Sequence, residues 1–135
     1  YLIGLYMKKI ILLGLILGLA GCMSTANFFE VQATSVQNSG YWTGQYDRLV
    51  GTLKLNSDGT GVICQDGMGT ARVMSVKKSN DKLYSQDGSF WKVQNETLNS
   101  MKLNYAIGGG YEMKKDDDLS LATPACKEKL KMNSN

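Results

Sequence analysis

From Gly40 onward the sequence predicts an all-β fold: a small antiparallel up-and-down barrel of about eight strands with a short C-terminal helix. Three observations lead there. Short β-like runs are separated by turn pairs at spacings of about 8 to 14 residues, whereas parallel βαβ units need crossovers of a dozen residues or more. The single proline, Pro124, lies outside this region, so it interrupts none of the runs. Eight consecutive hairpin-linked strands are best satisfied by closing on themselves, which removes the exposed edges.

In chain order the strands are expected at Tyr41 to Tyr46, Leu49 to Leu55, Thr60 to Gln65, Thr70 to Lys77, Lys82 to Ser85, Ser89 to Val93, Leu98 to Tyr105 and Tyr111 to Lys114. The turns between them are Asp47-Arg48, Asn56-Ser57-Asp58-Gly59, Asp66-Gly67, Asn80-Asp81, Asp87-Gly88, Asn95-Glu96 and Gly108-Gly109-Gly110. Leu49, Leu53 and Leu55 share one face with a period of two, and 101–105 alternates as cleanly. The run Thr70 to Lys77 does not choose a face, because Val73, Met74 and Val76 fall on both. Gly51, Gly61, Gly69 and Ala71 are small, against large Leu53, Leu55, Met101, Leu103 and Tyr105, a balance that favours a filled interior. Asp116, Asp117 and Asp118 read as a solvated connection. Thr123 as N-cap, Pro124 at the first helical position and lysines in the last turn start and stop the helix.

Before the barrel lie two lysines, Lys8 and Lys9, an apolar run from Ile10 to Ala20, and Leu19-Ala20-Gly21-Cys22. This layout resembles the bacterial lipoprotein signal with its lipobox. The apolar run is about half the length needed to span a bilayer. The resemblance implies cleavage before Cys22, a diacylglycerol on its thiol, and a fatty acid such as palmitate on the new amino group. Met7 is then the expected start, 1–21 the signal, 22–39 a polar lipidated tether, and 40–135 the barrel domain with its helix. Met23 rather than aspartate after the lipidated cysteine is, in that family, the outer-membrane sorting pattern, with the domain facing the periplasm.

With Cys22 carrying lipid, two of the three cysteines remain, Cys64 and Cys126. In an oxidising periplasm a Cys64 to Cys126 disulfide is expected, closing a loop of about 62 residues for roughly 4 kcal/mol in the chain-entropy model. The alternatives are two free buried thiols or a metal pair, and for a zinc site the sequence offers no histidine and no third thiol.

Composition narrows the function classes. All acidic residues follow Cys22 and only Lys8 and Lys9 of the basic ones precede it, so the mature chain is nearly neutral and carries no nucleic-acid footprint. With no histidine, the commonest general base and metal ligand are missing. No nucleophile elbow, P-loop or dinucleotide fingerprint occurs. No enzyme, cofactor or metal site is expected.

Gly40-Tyr41-Trp42 resembles the G-x-W that opens the first strand of lipocalins, where the tryptophan closes the barrel base. A disulfide to a C-terminal segment and a terminal helix are also lipocalin-like. Lipocalins stack an arginine from the far end of the chain on that tryptophan, and here the only arginines are Arg48 and Arg72. A second stretch, Tyr84 with Phe90-Trp91-Lys92, resembles a region of periplasmic inhibitors of c-type lysozyme and would form an interaction loop. The sequence thus leads to a lipid-anchored, non-enzymatic binding or scaffold module. Its partner would be an envelope protein or a small apolar ligand, with lysozyme inhibition as the other reading.

Overall fold

The computed structural model describes residues 27–67 and 69–132. The lipobox, Met7, Cys22 and the expected 1–21 boundary lie outside the described residues. Eight strands follow one another: β1 (Gly40–Tyr46), β2 (Leu49–Leu55), β3 (Thr60–Gly67), β4 (Thr70–Ser79), β5 (Lys82–Ser85), β6 (Phe90–Gln94), β7 (Ser100–Tyr105) and β8 (Gly110–Lys115). Each pairs antiparallel with the next, and β1 pairs with β8, so the barrel is closed. One helix, α1 (Pro124–Met132), ends the described chain. Thr123 accepts the Cys126 amide at 3.3 Å and so caps it.

The expected strands are present, with ends shifted by one to two residues. Asp66-Gly67 is a correction: the pair belongs to β3, in register with Ala71 and Thr70, and the chain reverses after it. Asp47, Asn80 and Asn95 sit in turns with φ near +53°, a conformation these short polar side chains tolerate better than others.

Alternation sorts the residues into two cores. Trp42, Leu53, Leu55, Ile63, Met74, Val76, Leu83, Trp91, Met101, Leu103, Tyr111 and Met113 form one contiguous buried cluster inside the barrel. Outside the wall, Cys64, Leu119, Cys126 and Leu130 form a second, with Tyr41, Val62, Ala71 and Val73 packed against it. The unresolved periodicity of 70–77 therefore has a cause. Met74 and Val76 serve the inner core while Val73 serves the outer one, so both faces of β4 are apolar. Ala71 accordingly faces outward, and Gly69 lies in a turn with φ +82°.

The aspartate run also departs from expectation. Asp116 is only 3% exposed. Its carboxylate accepts the Thr43 hydroxyl at 2.7 Å and the Leu121 amide at 3.1 Å, and Thr43 is 2.9 Å from Thr52 Oγ1. A carboxylate can be buried when such donors replace its water. Asp117 and Asp118 are exposed as expected, Asp118 accepting the Ser120 amide.

Cys64 on β3 and Cys126 on α1 are joined by a disulfide across a separation of 62 residues. The bond ties a helix of nine residues, too short to persist alone, to the barrel wall. Replacing both cysteines with serine should lower stability by about 4 kcal/mol, read as an earlier urea midpoint. Helical circular dichroism should be lost before the strand signal.

Candidate functional site

The barrel has two unlike ends. At the end where β1 begins, Trp42 is fully buried and its indole Nε1 donates to Asn38 O at 3.2 Å. Lys115, in register with Trp42 across the β1–β8 pair, places its Nζ 4.7 Å from the indole centroid. The same ammonium donates to Ser39 O and lies 3.7 Å from Asp117 Oδ1. Lys115 thus takes the place over the tryptophan that lipocalins give to an arginine. A signal for it exists in the sequence: Tyr111, Met113 and Lys115 are successive inward positions, one step past the expected strand end at Lys114.

Residues 31–39, within the stretch expected as a polar tether, cross this end. The Thr34 amide donates to Lys78 O at 2.8 Å, the Val36 amide to Ser57 O at 2.9 Å, and the Asn80 amide to Thr34 Oγ1 at 2.9 Å. Val36 packs against the inner core. Phe28 docks on β4, where Lys77 Nζ lies 4.6 Å from its ring centroid and 3.0 Å from its carbonyl oxygen; Phe29 stays 78% exposed.

The opposite rim is aromatic. Tyr46, Tyr105, Tyr111 and Trp91 stack with ring centroids 5.3 to 6.5 Å apart. Gln65 Nε2 donates to the Tyr111 hydroxyl at 3.0 Å. Burial, together with the neighbouring Tyr105 and Tyr46 phenols, pushes the Tyr111 phenol up, against the opposing Gln65 bond. Trp91 Nε1 is buried and meets no acceptor among the described residues. Beside them Asp87 accepts from the hydroxyls of Ser85 and Ser89 and from the Ser89 amide at 3.0 Å, and pairs with Arg72 at 3.2 Å.

The interaction loop expected from Tyr84, Phe90, Trp91 and Lys92 is a correction. Tyr84 stands on β5 and the other three on β6, each fixed in a strand ladder. Trp91 points into the core, while Tyr84 and Phe90 form a cross-strand pair with centroids 6.0 Å apart. A side chain locked in a paired strand cannot enter a cleft as a loop does, and the lysozyme-inhibitor reading loses its motif.

A closed eight-stranded antiparallel barrel with an aromatic-plugged base and a helix bonded to its wall defines a small lipocalin-like protein. The family model described as "bacterial lipocalin LPS transport optimiser YedD" matches residues 25–130, and the chain belongs to that family of lipoproteins. Among solved structures it resembles a lipoprotein YedD from Klebsiella pneumoniae subsp. pneumoniae MGH 78578, with TM-score 0.56 and 12% identity over 80% of this chain and 95% of that one. It also resembles a lipocalin lipoprotein affecting virulence in Streptococcus pneumoniae, with TM-score 0.52 and 19% identity over 62% of this chain and 97% of that one. At these identities the likeness is one of fold. No curated protein matches the chain.

Lys115→Gln should destabilise the barrel by about 1–2 kcal/mol, the scale of a partly desolvated cation–π contact, and shift tryptophan emission, while Lys115→Arg keeps most of both.

At the rim, burial raises the Asp87 carboxyl, but the Ser85 and Ser89 bonds and Arg72 outweigh it and hold the group at about 2, below its ordinary 3.8. A depressed folded value contributes stability that is full above the unfolded value and lost as pH falls. The wild-type thermal midpoint should therefore drop more steeply between pH 4 and pH 2 than that of Asp87→Asn. Partial exposure of the pair keeps the difference small.

Proposed function

We propose that the chain is a lipid-anchored envelope protein that supports lipopolysaccharide transport as a non-enzymatic binding or scaffold module, acting through its outer wall and rim. The family description supplies the process. The resemblance of Leu19-Ala20-Gly21-Cys22 to a lipobox supports an anchor at Cys22, and Met23 after it supports an outer-membrane, periplasm-facing address. The observation that carries the mode of action is the contiguous interior core: twelve buried side chains, two of them tryptophans, occupy the space in which a hollow lipocalin would carry an apolar ligand. What remains for recognition is the outside of the barrel.

The test is complementation in a Gram-negative host deleted for the gene. Deletion should raise sensitivity to large hydrophobic antibiotics at least fourfold, wild type should restore it, and Cys22→Ser should not. Full rescue by an unlipidated chain would overturn the anchor. A stoichiometric apolar molecule in native mass spectra of the purified protein would overturn the scaffold reading in favour of a carrier.

A further inference from the structure

The outer wall formed by β4, β5 and β6 carries an unusual arrangement of charge. Lys82 and Lys92 stand directly opposite each other in the β5–β6 register, on the outward side. Like charges facing across an antiparallel pair destabilise a sheet, and neither lysine makes an ion pair among the described residues. Lys77 adds a third cation on β4, in register with Tyr84, which is in turn paired with Phe90. Lys82 Nζ lies 5.3 Å from the Phe90 centroid. Asp81 and Glu96, the nearest carboxylates in sequence, sit in the turns at the base rather than on the wall. The result is a face of three lysines interleaved with aromatic rings, with no acidic residue in β4, β5 or β6 themselves; Glu30 follows Phe28 and Phe29 on the exposed turn beside it.

The chain's own course supplies the second observation. Phe28 lies on this face, held by Lys77 through both its ring and its carbonyl. Only five peptide links separate Cys22 from Asn27, and a chain extends at most about 3.6 Å per residue, so the chain length allows Cys22 no more than roughly 20 Å from Asn27. The lipid anchor proposed at Cys22, on which this inference rests, would bring the same face to the bilayer.

We infer that the β4–β5–β6 wall is a docking surface for an anionic lipid bilayer. Lys77, Lys82 and Lys92 receive lipid phosphates, while Phe28, Phe29 and Phe90 reach the boundary between headgroups and acyl chains, where the apolar side of an interfacial surface is buried. The like-charged Lys82–Lys92 pair, a cost to the sheet in solution, becomes a benefit against a negative surface. The attraction is worth about fivefold in binding per lysine near such a surface and falls away within a Debye length.

The test uses the full mature chain with Cys22→Ser, so that no acyl chain contributes, and sedimentation with vesicles of phosphatidylcholine alone or with phosphatidylglycerol at three parts in ten. Binding should be at least tenfold tighter to the anionic vesicles and should disappear in 0.5 M salt. Lys82→Gln/Lys92→Gln should weaken it by at least tenfold and either single lysine variant by about fivefold, while Arg48→Gln, the same charge loss as a single lysine variant but in the turn between β1 and β2, should leave it unchanged. Non-reducing mass spectrometry of the Cys64–Cys126 bond checks that each variant is folded. Equal binding to both vesicle types, no binding to either, or indifference to the double lysine variant would overturn the inference. Failure of the anchor is read separately, as absence of fatty acid on Cys22 of the native protein.

Discussion

The barrel depends on the seam where β1 meets β8. It runs over only four residue pairs, from Trp42 with Lys115 to Gln45 with Glu112, against seven for β1 with β2. Gly44 sits in the middle of it, and a Cβ there would run into the Glu112 carbonyl and come within 2.9 Å of Met113 Sδ. Its neighbour in register is Gly51 on β2, whose missing side chain leaves room for the Tyr111 ring. Two adjacent glycines on the inner wall therefore decide where the largest residue of β8 goes. On the outer wall of the same strands, Thr43 bonds to the Thr52 hydroxyl and donates to the Asp116 carboxylate, and the Asp116 amide donates to Tyr41 O at 2.8 Å. A short ladder is thus clamped from both sides, by packing within and by buried hydrogen bonds without.

The outer core extends the same logic to the C-terminus. After β8 the chain turns on Asp116, lays Leu119 against the wall and delivers α1 to β3 and β4. Leu130 and Cys126 are both fully buried there, so the helix is fixed by apolar packing and a covalent bond together. A strand buried on both faces, as β4 is in its middle, no longer alternates; continuous apolar character is what two-sided burial requires.

That difference explains what could and could not be read from sequence. One-sided strands such as β2 and β7 announce themselves by alternation, and turn pairs rich in Asp, Asn and Gly mark most of their limits. The Cys64–Cys126 partnership was legible from counting thiols once one was assigned to lipid. Asp116 was not legible, because a carboxylate next to two others has the local signature of a solvated loop, and only the distant Thr43 and Leu121 amide make its burial tolerable. Ala71 was misplaced for a related reason: a small residue gives no hint of its face until the helix that covers it is known. Lys115 was missed through a strand boundary set one residue short, which hid its membership of the inward series. Tyr84, Phe90, Trp91 and Lys92 form a compact motif on paper, but alternation divides them between core and surface.

The closed end carries a mechanical consequence. Between Phe28 and Gly40 the chain is held to the barrel at Lys77, Lys78, Ser57, Trp42 and Lys115 in succession, by bonds to three strands, β4, β1 and β8, and to the turn between β2 and β3. A segment attached at so many points moves with the barrel as one body. The Lys115 ammonium has a part in this. It sits over the indole while meeting Ser39 O and Asp117, so the contact that closes the base also fastens the incoming chain.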